Sequence, residues 1–554
     1  MKELFHELYN EWFANSEFWF SKNDKIDKYL SEKYFSKICL CDNTIDLVKN
    51  CNKSTIIGAI IAYDQIPRHY NRINPIDCNA YSKIAMDISL LIINDKVLVD
   101  EEFTSYNWCF IFLPFRHLKE VQYINSSIEF INFKYKCDKN KPSDRAIYKR
   151  FLKYAIRDVH KINTEKQLIA QKNESVFLNN SKWDAFQDIL EHFPREDLST
   201  NISNIDIKHI IKEQYDILNK ININTHIIVS VSGGVDSLVC LHILKLILPE
   251  NRITAVHINY NNRKECHKEV EFVKKYCSIM NVKLYHRKII EMKRNDYQFN
   301  GLRELYEDST KDIRFETYRQ VANINYDLDY IVVLGHNKDD CFENIITNIS
   351  MKTNYDNLSG TSINTINNRI SFLRPLLNIR KKDIVHYAKC MNIPYLQDST
   401  PKWSMRGKIR DNILPSMEEI NSDIIGSFFA LKKRVEEWEN TINEHILPKI
   451  INNFVQENGS IIGIFTQEDL IYNTNIWSKI FESNNFTQFF TRSVSHKCIR
   501  EFSELIIRFK KDFKRMQDLN IFNNRIKFII RKDIHSFIYR TKDNNICISF
   551  CKTQ

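Results

Sequence analysis

The run Ile227-Ile228-Val229-Ser230-Val231-Ser232-Gly233-Gly234-Val235-Asp236-Ser237 constrains this chain more than any other stretch. β-Branched apolar text stops at Ser-Gly-Gly, and apolar residues at helical spacing (Leu238, Val239, Leu241, Leu244, Leu248) follow at once. The pattern predicts a buried parallel strand, a tight turn and a helix N-terminus. Adjacent glycines permit positive φ and close backbone approach, and the N–H groups of a helix's first turn attract anions.

The text downstream repeats the alternation. Ile253 to Tyr260, Val282 to Tyr285 and Tyr330 to His336 read as strands; Glu269 to Met280 and the residues from about Asp339 read as helices. Such alternation implies a doubly wound parallel sheet, with ligands beyond the strands' carboxyl ends. In Gly335-His336-Asn337-Lys338-Asp339-Asp340-Cys341-Phe342-Glu343, the carboxylates of Asp340 and Glu343 are three residues apart and share a helix face. Acidic residues at a helix start complement its dipole. Beside a phosphate loop they can also hold Mg²⁺ or orient an amine. Arg374-Pro375-Leu376-Leu377, Asp383 to Ala388, Asp398-Ser399-Thr400, Arg406, Lys408, Arg410 and Leu414-Pro415 follow in order, while Met351 to Asn368 reads as a polar loop.

No Gly-Lys-Ser/Thr closes the glycine turn, which excludes a Walker A loop. Ser-Gly-Gly-x-Asp-Ser resembles instead the PP-loop of ATP pyrophosphatases, and the ordered landmarks over about residues 225 to 415 resemble the tRNA(Ile)-lysidine synthase family. Lys311, Arg314 and Phe315 are similar to that family's Arg-x-x-Arg-Tyr helix; Pro401 and Gly407 depart from its pattern, standing where Asn is usual. The resemblance implies ATP and Mg²⁺ as cofactors, tRNA and L-lysine as partners, and a two-step ligation. A wobble cytosine is adenylated with loss of pyrophosphate, and lysine's ε-amine then displaces AMP. Ser232, Gly233, Gly234, Val235, Asp236, Ser237, His257, Gly335 and His336 would bind ATP. Asp236 and Glu343 would hold the metal, Asp340 the lysine ammonium, and Arg314 and Arg410 would stabilise charge. A PP-loop tRNA thiolase, another adenylating base-modifying enzyme and a non-catalytic binding protein are the alternatives. Thiolases of this kind usually need paired cysteines, and Cys-x-x-Cys is absent here.

The first 200 residues read as helices. Ile56 to Tyr63 forms a strongly apolar one that should end or kink at Pro67; Ala80 to Ile92 forms another, and a further one follows Leu113-Pro114. Glu17-Phe18-Trp19-Phe20, Asp64-Gln65-Ile66-Pro67-Arg68 and Phe112 to Leu118 with Gln122 resemble an uncharacterised bacterial helical-repeat-like family with an Asp-Gln-Phe-Pro-Arg core. In the residue reading, Asp64, Arg68, Arg116 and His117 form a polar network at a helix corner. After residue 420, helices over Leu431 to Ile446 and Ser493 to Phe513 precede strands at Ile526 to Ile530 and Ser536 to Arg540. The basic group Arg508, Lys510, Lys511, Lys514 and Arg515 reads as a solvated helix face that could also meet phosphates.

The expected architecture is therefore multidomain: an α-helical N-terminal domain (1–200), a central α/β doubly wound, Rossmann-like PP-loop domain (205–420) and a small α+β C-terminal accessory region (421–554). Fourteen cysteines without zinc or redox spacing suggest reduced thiols. Glu3, Glu7 and Glu11 among aromatics argue against a signal or transit peptide, and no apolar run reaches membrane-spanning length. The expectation is a soluble cytoplasmic enzyme without a membrane partner, with a protein partner or homodimer through either terminal region left open. A net charge of +10 over 554 residues is compatible with a polyanion but does not require one.

Overall fold

The computed structural model describes residues 1–19, 23–38, 40, 44–94, 103–137, 142–172, 207–249, 252–263, 265–298, 301–325, 329–351, 360–396, 404–457, 459–468, 470, 473–490, 494–531 and 533–552. Asp398, Ser399, Thr400 and Pro401 lie outside them. The chain forms two compact units, one of Met1–Asn337 with Ile363–Ser399, the other of Lys338–Ser362 with Thr400–Gln554.

The first unit begins as a helical module. Its centre is the helix Lys53–Asp64, buried from Thr55 to Asp64, as a helix that is apolar on every side must be. Pro67 acts as expected: the helix stops at Asp64, and a short one, Ile66–Asn71, restarts with the proline in its first turn. Pro114 instead sits inside the helix Ser105–His117, and Val121–Cys137 and Pro142–Gln171 follow.

The sheet of this unit has the order β3-β2-β1-β4-β6-β5. Its strands are β1 (His226–Ser230), β2 (Ile253–Asn259), β3 (Lys283–Lys288), β4 (Tyr330–Leu334), β5 (Asn364–Asn367) and β6 (Ile370–Leu373). β1, β2, β3, β4 and β6 run parallel, and β5 closes the edge antiparallel to β6. The end of the stretch read as a polar loop is thus a strand, because the turn at Asn368 and Arg369, both at positive φ, folds it back on β6. Side chains alternate between two cores, as a sheet covered on both faces requires. Ile227 and Val229 pack with the helices Val235–Ile247, Cys266–Ile279 and Lys381–Cys390; Ile228 packs with Phe315, Tyr318 and Val321 of the helix Arg303–Asn325.

The helical module is built into this α/β body. Its core continues through Ile289, Met292, Tyr297, Leu302, Leu305 and Ile313, and Leu168 enters the core on one sheet face. The helix Pro142–Gln171 also covers the free edge of β3. Gln171 donates from Nε2 to the His286 carbonyl and accepts from the His286 N–H, both at 2.8 Å. Gln167 does the same at Lys288, at 3.0 and 2.9 Å. Two side-chain amides one turn apart thereby satisfy alternate backbone groups as a neighbouring strand would. Beside them Arg287, fully buried, pairs with Glu291 and donates to Thr164 Oγ1 at 2.9 Å, while Asn163 Nδ2 donates to Glu291 at 3.0 Å.

The second unit holds the helix Lys338–Met351, a helix running from Ile424 to Thr441, and a C-terminal sheet of order β7-β8-β11-β10-β9. Its strands are β7 (Phe454–Glu457), β8 (Ser460–Phe465), β9 (Ile526–Arg531), β10 (Ile534–Arg540) and β11 (Ile546–Lys552), all antiparallel. The helix His496–Asp518 packs Phe502, Ile506, Phe509 and Phe513 on this sheet's core and leaves Arg508, Lys511, Lys514 and Arg515 exposed. Among the described residues, no helix is long and apolar enough to cross a membrane.

Candidate active site

In the strand order β2-β1-β4, connections leave β1 and β4 in opposite directions, and a crevice opens at the carboxyl ends of such a pair. The turn after β1 carries Ser232 to Ser237 and the turn after β4 carries Gly335-His336-Asn337. The two turns touch. A Cβ on Gly335 would lie 2.9 Å from the Asp236 carbonyl, so only glycine fits there. Gly233 has φ +87, a conformation that side chains disfavour, and its carbonyl accepts from the Leu396 N–H at 2.9 Å, which ties the loop to the segment beyond β6.

The loop is shaped as an anion cradle. Gly234 caps the helix Val235–Ile247 with no side-chain bond to its first-turn N–H groups, and a Cβ on Gly234 would meet only Ser232 Oγ, at 3.5 Å. Ser237 Oγ accepts from the Ser232 N–H at 3.1 Å and donates to the Gly234 carbonyl at 2.9 Å, which fixes the loop's curvature. Val235 is buried in the core below. His257, at the end of β2, anchors Nδ1 on the Val231 carbonyl at 2.8 Å, and its buried Nε2 has no hydrogen-bond partner among the described residues. Burial pushes this imidazole down to about 4, so it is neutral at physiological pH. With Nδ1–H given to a carbonyl, the orphaned Nε2 is an acceptor, and beside an uncapped glycine loop it fits a donor of a bound nucleotide, an amine or a ribose hydroxyl.

Asp236 accepts from Asn337 Nδ2 at 3.0 Å and is ion-paired with Lys381. His336 Nδ1 accepts from Arg374 Nε at 3.2 Å, and Arg374 also donates to Thr365 Oγ1 at 2.9 Å. Arg314 lies on the helix Arg303–Asn325, where its charge opposes the upward push of burial on the Tyr318 phenol; that phenol donates to Ser230 Oγ at 2.8 Å, just before the loop. The sequence reading missed Lys381 and Asn337 as site residues. Asn337 sits inside the Gly-His-Asn-Lys-Asp-Asp motif and could have been drawn from it; Lys381, in the run Arg380-Lys381-Lys382, carries no local signal.

The second unit brings together Asp340, Glu343 and Arg410. Arg410 donates to both Glu343 oxygens and reaches Asp340 Oδ1 at 3.2 Å, while Arg406 donates to Asn344 Oδ1 at 3.2 Å. Burial raises the Glu343 carboxyl, and the Arg410 guanidinium only partly opposes this. Arg410 is therefore the counter-ion of the two carboxylates, a geometry its spacing in sequence does not show. Among the described residues no group of three or more His, Cys, Asp or Glu could hold a metal ion. A Mg²⁺ that binds through one or two carboxylates and substrate phosphates needs no such cluster.

Residues 201–417 match a family described as a PP-loop domain, and residues 8–167 match one described as a bacterial protein of unknown function (DUF924). Among curated relatives, the tRNA(Ile)-lysidine synthase of Thermotoga maritima is 26% identical over 238 residues, 42% of this chain and 54% of the relative. That of Mesoplasma florum is 29% identical over 220 residues, covering 39% and 52%. That of Borrelia garinii subsp. bavariensis is 27% identical over 325 residues, covering 57% and 70%. The chain thus spans about half the length of the first two, at 54% and 52%. The glycine loop, the β4 turn and the strand order that joins them belong to the matched segment, and residues 201–417 are a PP-loop domain carried behind a DUF924 segment.

Proposed function

We propose that this protein is an ATP-dependent, tRNA-modifying C–N ligase that joins lysine to the wobble cytidine of an isoleucine tRNA. The observation that carries the reading is the uncapped Ser232–Ser237 loop closed against Gly335, with His257 Nε2 unpartnered beside it, in a segment similar to lysidine synthases. In the first step cytosine O2 attacks the α-phosphorus of ATP and pyrophosphate leaves. The first-turn N–H groups and the Ser232 and Ser237 hydroxyls meet the charge that develops on the leaving phosphates. In the second step lysine's ε-amine attacks C2 and AMP departs.

Asp236 and Glu343 are the proposed Mg²⁺ ligands; the ion, when bound, neutralises phosphate charge. Lys381 pairs with Asp236 and Arg410 with Glu343, so each of these carboxylates is ionised toward a cation, the form a metal would need. Asp340 is proposed for the lysine ammonium, and Arg314 and Arg410 for charge stabilisation. Free thiols and a tRNA substrate suit the cytoplasm.

The test is incorporation of radiolabelled lysine into tRNA with a CAU anticodon, given ATP and Mg²⁺, with pyrophosphate measured in parallel. Label in the tRNA that disappears with Asp236→Ala is the expected result. Pyrophosphate release without label would overturn lysine as the nucleophile, and absence of both would overturn the ligase.

A further inference from the structure

The helical module contains a polar cluster that the ligase reading does not use. Asp64 ends the central apolar helix with its side chain 1% exposed, beside the module's aliphatic and aromatic core. Moving a carboxylate there costs several kcal/mol unless charge and hydrogen bonds compensate. Four helix ends converge to supply them. Gln65 donates to Oδ2, Ser82 Oγ donates to Oδ1 at 3.1 Å, and His117 Nδ1 sits 2.8 Å from both oxygens. Arg68, one turn on, places Nε 3.6 Å from Oδ1 and donates from Nη2 to Ser82 Oγ at 2.8 Å. Burial pushes the Asp64 carboxyl up, but His117 and Arg68 more than offset it, and the group lies below its ordinary range.

The asymmetry of the cluster is informative. The carboxylate is sealed inside, whereas the two basic side chains that contact it reach the surface, the His117 side chain at 26% exposure and Arg68 at 29%. Among the described residues His117 Nε2 and Arg68 Nη1 make no hydrogen bond, and Arg68 Nε is buried without one. The neighbouring Arg116 is different: it is consumed by Asp158, through Nε at 3.0 Å and Nη2 at 2.6 Å. A carboxylate bound to Nδ1 fixes the imidazole's orientation, so Nε2 points outward.

We propose that His117 and Arg68, oriented by the buried Asp64, form an oxyanion-binding site in the N-terminal module for a phosphate- or carboxylate-bearing small molecule. The site is distinct from the PP-loop and does not depend on the ligase reading.

The test uses the full chain with ¹³C-labelled histidine rings, the His117 signal being assigned by its loss in His117→Asn. Inorganic phosphate and acetate are titrated separately at constant ionic strength. The expected result is a saturable shift of the His117 signal. Response to phosphate alone assigns a phosphate ligand, and response to acetate alone a carboxylate one. Arg68→Lys keeps the charge beside Asp64 and hence the fold, but loses the planar fork, and should weaken binding about tenfold. A His117 signal unmoved at tens of millimolar of either anion would overturn the proposal, as would equal affinity in Arg68→Lys.

Discussion

Replacing Glu291 by Gln tests whether the helical module and the α/β body are one cooperative structure. Arg287 and Glu291 both have 0% side-chain exposure. The substitution keeps the shape but turns one of the two oxygens that accept from Asn163 Nδ2 and the Ile290 N–H into an NH₂ donor, and it leaves the buried guanidinium, which also donates to Thr164 Oγ1 and the Lys288 carbonyl, without a counter-charge. Removing one partner of such a pair costs about 3–5 kcal/mol, since the other charge stays buried. An apolar pair, Arg287→Met with Glu291→Leu, removes both charges but orphans Asn163 and Thr164, each worth about 1–3 kcal/mol. The double variant should therefore lose less than the sum of the singles, with a coupling of about 2–3 kcal/mol. The assay is urea unfolding followed by far-ultraviolet circular dichroism and by fluorescence of Trp12 and Trp108, both in the module's core. Both probes should move to lower urea together in Glu291→Gln. A change within the ~0.5 kcal/mol typical of surface substitutions, or additive single and double effects, would refute the reasoning.

Gly335→Ala should abolish pyrophosphate release with the protein still folded, because its Cβ would press on the Asp236 backbone at 2.9 Å; activity near wild type would show that the two turns can separate freely. Gln167→Leu with Gln171→Leu strips four backbone groups on β3 of their partners, and sedimentation should show concentration-dependent self-association through the bared edge. The Glu343 carboxyl is raised by burial above its ordinary 4.5, so the folded state holds its proton longer than the unfolded one. Its contribution is thus complete below 4.5 and is lost as pH rises through the raised value. Glu343→Gln should flatten that part of the stability–pH curve, and an unchanged slope would contradict the assignment.

Much of the α/β body was legible because its signals are local. Periodicity placed β1, β2 and β4, and two glycines after a buried strand marked the loop, since only backbone freedom allows φ +87 at Gly233. The central helix and its stop before Pro67 were legible for the same reason. Strands β5, β6, β7, β8 and β11 were not. They are short or sit in Asn-rich or mixed text, and what makes them strands is the neighbour across the ladder. In the site, Asp236 and the loop followed from motif, but the cations facing the carboxylates did not. Lys381 is 145 residues from Asp236, and Arg410 is 67 from Glu343.

The sequence by itself determined where the glycine loop lies, which helix is apolar all round, and that helices and strands alternate beyond it, because each depends on residues within one turn or one strand of each other. Tertiary structure alone decided which charges neutralise which, that Asp64 is sealed while His117 and Arg68 face outward, and that two glutamines complete the edge of β3. Burial and Coulomb pairing depend on distance in space, and residues far apart in the chain carry no mark of the partner that folding brings to them.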